Sequence, residues 1–206
     1  MKKYRVIMYK AKWLDGHGTD NLIDTWTLLT NLPYVIWKEK LNPKGIWRFI
    51  KWNYAHVEIW TPNENSHNDP RPCDWWNGKC WTSTMRDFDD GTTVRPVRDV
   101  IKDKSRWDYA EFEANTHEEY RRAIVWATKE VYHNEGYSRE DIKKFIPIVR
   151  HFVKPNNRNI CSEFADKFMV ECRNFAEHRL MSPRKEAYLI FKELGKVFKP
   201  VDNMLR

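Results

Sequence analysis

Asn159-Ile160-Cys161-Ser162-Glu163-Phe164 reads as the entry to a helix. Asn159 has the side-chain oxygen with which an N-cap accepts an orphan backbone N–H. Cys161, Phe164, Ala165, Phe168 and Cys172 then recur at i, i+3, i+4, i+7 and i+11, the inward stripe of an α-helix. The pattern predicts a helix to about Leu180, with Cys161 in its first turn and on its inward face. A helix N-terminus favours thiolate over thiol. A free cysteine is more often a small buried hydrophobe, so this stretch alone favours core over nucleophile.

Upstream the period is two rather than 3.6. Tyr4 to Tyr9 is β-branched and aromatic and reads as a strand. Tyr54-Ala55-His56-Val57-Glu58-Ile59-Trp60 alternates as a half-buried strand does, with Tyr54, His56 and Glu58 on one face and Val57 and Ile59 on the other. Further strands are expected at Cys80–Met85, Thr92–Val97 and Trp107–Phe112, with a polar loop over Thr61–Lys79. One helix is expected from Thr19 or Asp20 to just before Pro33, and Leu41–Trp52 fits either a loop or a short helix. Thr116-His117-Glu118-Glu119 is a capping box opening a helix, with Gly136 as its C′ residue. Ser138–Val149 is expected to be helical, and Ser182-Pro183 opens a last helix that Gly195 ends. Strands first and helices after give a single α+β domain over residues 1–206.

Four cysteines at irregular spacing do not make a disulfide framework at this length and suit a reduced compartment. Lys10 and Lys12 interrupt the N-terminal apolar run, so no signal peptide is expected, nor any membrane span. The net charge of +7 permits acidic partners such as nucleic acid, yet the cations are dispersed among 29 acids. The eleven tryptophans are expected first as core and pocket walls, with stacking surfaces for bases as the alternative. His67, Cys73 and Cys80 lack the short paired spacings of a zinc site, and no phosphate-binding glycine loop occurs. No metal or cofactor is therefore called for.

A thiolate nucleophile needs a base within hydrogen-bond reach and a group to orient that base. Of the seven histidines, His117 and His133 fall at the two ends of one helix, and His67 in a polar loop. His178 would lie about 25 Å from Cys161 along a common helix. His56, in an apolar strand, is the one that needs a partner.

The segments Tyr54–Ile59, Cys80–Asp87 with Gly91, Trp107-Asp108 and Cys161–Phe164 resemble the circularly permuted papain-like cysteine hydrolases, the permuted branch of the NlpC-type superfamily. In that branch the histidine strand precedes the cysteine helix, as His56 precedes Cys161 here. The resemblance implies a permuted papain-like fold, Cys161 as nucleophile and His56 as base. The backbone N–H of Cys161 would be an oxyanion donor, and Tyr54 and Ser162 would line the substrate site. The third catalytic position, polar and often acidic in the family, falls on Thr82–Thr84, with Thr82 the best match. Glu58 competes, although a residue two positions along one strand should point parallel to the ring. The implied substrate is an amide in a peptide or a peptidoglycan stem peptide. An acyltransferase using the same pair, with a lipid substrate and Trp37–Trp52 at a membrane, is the first alternative. A non-catalytic basic module binding nucleic acid or protein is the second. A small, basic, tryptophan-rich relative of this branch suits a bacteriophage or bacterium, acting in the cytoplasm.

Overall fold

The computed structural model describes residues 1–10, 18–51, 53–65, 68–84, 90–134, 136, 160–172 and 182–204, with backbone alone for 18–24, 26, 27, 30, 51, 203 and 204. Outside these lie His17, His67, His151, His178, Asn159, Arg86, Asp87 and the helix expected over Ser138–Val149.

The chain is α+β. Its strands are β1 (Lys3–Lys10), β2 (Tyr54–Thr61), β3 (Lys79–Thr84), β4 (Gly91–Pro96), β5 (Trp107–Glu113) and β6 (Lys199–Pro200). They form one sheet in the order β4-β3-β2-β1-β5-β6, antiparallel throughout. The described helices are α1 (Gly18–Lys38), α2 (Pro43–Lys51), α3 (Pro72–Trp76), α4 (Val97–Val100), α5 (His117–His133), α6 (Cys161–Glu171) and α7 (Pro183–Leu194).

The sheet is covered on both sides. Tyr4, Val6 and Met8 of β1, Val57 and Ile59 of β2 and Trp81 of β3 face the main core, where Phe164 and Phe168 of α6 and Ala187 and Ile190 of α7 meet them. Burying each large apolar side chain there is worth about 1.5–3 kcal/mol. Ile7, Trp60 and Cys80 point the other way, into a smaller core closed by Trp75, Val97, Ile101, Trp107 and Val201. The alternation along β2 suggested a half-buried strand; all eight of its residues are buried, because β2 is interior to the sheet and both faces are occupied. That makes its polar residues costly unless they are paired.

Local signals landed close to where the sequence put them. Thr116 caps α5, its hydroxyl accepting from Glu119 N at 3.1 Å. Ser182 caps α7 by accepting from Lys185 N, and Gly195 ends it in the left-handed region at φ 64°. Several boundaries moved. The first helix does not stop before Pro33 but runs through it to Lys38, and Leu41–Trp52 contains α2. The polar loop contains the short α3. α5 ends at His133 with Asn134 as C-cap, so Gly136 lies beyond the C′ position. α6 begins at Cys161 with Ile160 as N-cap and ends at Glu171, short of Leu180. The side chain that meets an orphan donor there is Glu163, whose Oε2 accepts from Ile160 N at 3.1 Å.

Candidate active site

Cys161 is the first residue of α6 and is 4 % exposed. Its place along the sheet follows from the packing of α5. The start of α5 lies at the Thr61 end of β2, where His117 and Tyr120 share a small cavity with Thr61 and Pro62. Its far end reaches the start of β4, where the Asn134 side chain accepts from Thr92 N at 2.9 Å. α6 runs antiparallel to α5: Arg122 meets Glu171 at 2.9 Å, and Trp126 packs on Phe164. Cys161 therefore stands at the end of the sheet that carries Thr84 and His56.

At that end β2 and β3 part. Their pairing covers Ile59–Thr61 against Lys79–Trp81. Beyond it Thr82 turns its hydroxyl to the Val57 carbonyl, donating at 3.0 Å. His56 is buried beside this break in the ladder, opposite Tyr9 of β1. Its Nε2 lies 3.2 Å from Glu58 Oε1 and 3.5 Å from Thr82 Oγ1. Arg95 of β4 donates to the same Glu58 oxygen at 2.8 Å. A carboxylate only accepts, so the proton of the neutral ring sits on Nε2 and Nδ1 is its basic nitrogen. Glu58 thus lies closer to the ring than Thr82 does, contrary to the expectation that it would point parallel. A side chain as long as glutamate, fully buried and pinned by Arg95, folds back along its own strand.

The same face holds Cys80, whose neighbour across the ladder is Arg95. Burial pushes the Cys80 thiol well above its ordinary range; the Glu58 carboxylate adds to the rise and Arg95 opposes it. Cys80 is therefore a protonated, inert thiol. Cys73, by contrast, is exposed on α3.

The two residues expected to line the substrate site, Tyr54 and Ser162, are both buried. Tyr54 does not share the face of His56. The β1–β2 register slips between Tyr9 and Lys10, so that Tyr9 opposes His56 while Lys10 opposes Tyr54. The extra residue turns Tyr54 into the main core, where its hydroxyl donates to Asp108 Oδ2 at 2.7 Å and Lys10 pairs with the other oxygen at 3.0 Å. Burial and the Asp108 carboxylate push the Tyr54 phenol far above its usual value. Ser162 is fully buried in the first turn of α6. The pleat also separates the two main candidates by face. Val57 and Ile59 lie in the α6-side core with Cys161, whereas His56, Glu58, Thr82, Cys80 and Arg95 share the opposite side. The structure brings Cys161 and His56 to one end of the sheet, where the β2–β3 pairing has ended, and roots them on opposite faces.

Sequence reasoning missed Arg95. Its only sequence signal was a cation in a strand otherwise suited to burial, 37 residues from its partner. No protein-family model matches the chain, and no curated protein matches it.

Proposed function

We propose that this chain is a cysteine-dependent hydrolase of permuted papain-like architecture, acting on an amide bond of a peptide or a peptidoglycan-like stem. The observation that carries the proposal is the arrangement at the end of the sheet where β2 and β3 are no longer paired. A cysteine opens a buried helix on one face there, and on the other face stands a histidine whose Nε2 is held by the Glu58–Arg95 pair. In this scheme Cys161 loses its proton to His56 Nδ1 and its sulfur attacks the carbonyl carbon. The N–H groups of the first turn of α6 face the developing oxyanion. The tetrahedral adduct collapses, the imidazolium gives its proton to the leaving amine, and a thioester remains on Cys161. Water, deprotonated by His56, then releases the acid. For this reaction the imidazole and the thiol must meet where the β2–β3 pairing ends, past Ile59 and Trp81, since the pleat starts His56 on the far face.

That same pleat favours a second reading, in which His56, Glu58, Thr82 and Arg95 are a buried structural network in a non-catalytic basic binding module. The two separate in one experiment. An activated acyl thioester or ester is incubated with wild type, Cys161→Ala and His56→Ala, and the intact protein is weighed by mass spectrometry. Hydrolysis expects an acyl adduct on Cys161, with turnover abolished in both variants. Equal turnover in wild type and Cys161→Ala, or no adduct at all, overturns it.

A further inference from the structure

We infer that the face formed by the end of α1, the following turn and α2 docks on an anionic lipid bilayer. This surface owes nothing to the cysteine chemistry, and the two proposals stand or fall separately. Leu29, Pro33 and Trp37 are spaced four apart on α1, and all three are exposed; Leu41 in the turn continues the series. Such a stripe normally faces a core. Here Leu29 is 58 %, Trp37 71 % and Leu41 72 % exposed. An open hollow of about 880 Å³ lies among Pro33, Ile36, Trp37, Lys38, Lys40 and Leu41. Lys40 and Leu41 take left-handed backbone, φ 48° and 63°, a conformation disfavoured for residues with a Cβ. The turn is thus held in a strained shape that leaves a leucine in water. On α2, Phe49 faces inward while Trp47 stands 58 % exposed, with Lys44 one turn before it.

Charge selects the occupant. From Leu29 to Lys51 there are five cations (Lys38, Lys40, Lys44, Arg48 and Lys51) and one acid, Glu39. Glu39 is buried and turned inward, accepting from Tyr188 at 2.8 Å and paired with Lys192 at 2.6 Å. No carboxylate therefore faces outward among the described side chains of this segment. Exposed tryptophan and leucine, ringed by lysines, match the boundary between headgroups and acyl chains, where the indole stays partly wet and the cations meet phosphates. The described helices include none long and apolar enough to cross a membrane; this face would lie on the surface.

The test is co-sedimentation of the full chain with vesicles of phosphatidylcholine, or of phosphatidylcholine and phosphatidylglycerol in equal parts. Wild type and Cys161→Ala are expected to pellet with the anionic vesicles and to stay in solution with the neutral ones. Trp37→Ser with Leu41→Ser should abolish pelleting without moving the melting temperature downward. Lys38→Gln, Lys40→Gln and Lys44→Gln should weaken it by about fivefold for each lysine removed. Failure of wild type to bind anionic vesicles overturns the proposal, as does undiminished binding by the Trp37/Leu41 variant. A self-association or DNA binding that the stripe variants abolish, in a protein that ignores vesicles, would assign the face to another partner and overturn it too.

Discussion

At the scale of single residues, what decides the chemistry is how buried charge is paired. Glu58 is fully buried and holds both Arg95 and His56 through one oxygen. A buried carboxylate stripped of its cation is expensive. Arg95→Met is therefore expected to destabilise the fold by about 3 kcal/mol in urea denaturation, and Glu58→Gln in the same background to recover part of the loss. An Arg95→Met protein as stable as wild type would show that Glu58 does not depend on that pair.

Glu186 of α7 is the opposite case. It is fully buried, and neither of its oxygens meets a hydrogen-bond partner among the described residues. Burial first, and the nearby Asp166 of α6 second, raise its pKa well above the ordinary carboxyl value. Unfolded, it ionises near about 4.3. Above that pH the folded chain keeps a proton that the unfolded chain has lost, so stability falls as pH rises through the window. Below about pH 4 both states are protonated and the effect vanishes. Glu186→Gln should thus gain stability over wild type at neutral pH and match it near pH 4, in denaturation series at the two pH values. A gain of equal size at both would rule out proton linkage at this site.

At the scale of elements, the caps carry their share. Gly195 ends α7 at φ 64° and donates its N–H to the Phe191 carbonyl at 3.0 Å. Gly195→Ala keeps the bond but forces a Cβ into left-handed backbone, so a loss of about 1 kcal/mol is expected in thermal or urea denaturation. Such features were legible in the sequence because they are local: Ser182-Pro183, Thr116 with Glu119, and Gly195 each announce a helix end within four residues. The His56 strand and the Cys161 helix start were legible for the same reason, through their periods of two and 3.6. What was not legible is non-local. The register slip between Tyr9 and Lys10 depends on how two strands fifty residues apart meet, and it turns Tyr54 away from His56. Arg95 became the partner of Glu58 only when β4 paired with β3. The passage of α1 through Pro33 defies propensity. The ring costs the helix one hydrogen bond, and this proline is exposed, so the orphaned carbonyl one turn earlier is not shut in a core.

At the scale of the molecule, an antiparallel sheet buried on both faces brings a helix-opening cysteine and a carboxylate-held histidine to one of its ends, on opposite faces, and leaves a basic apolar face on α1 and α2 outward. The central claim is that Cys161 and His56 act as a pair. The most direct test is the pH dependence of iodoacetamide labelling at Cys161, followed by peptide mass mapping, with exposed Cys73 in the same molecule as the reference for an accessible thiol. The pair predicts that Cys161 labels in the native protein with an inflection well below the ordinary thiol value of about 8.5, and that His56→Ala moves this inflection up toward it. Labelling of Cys161 only under denaturing conditions, or with the same pH profile in His56→Ala, would contradict the account.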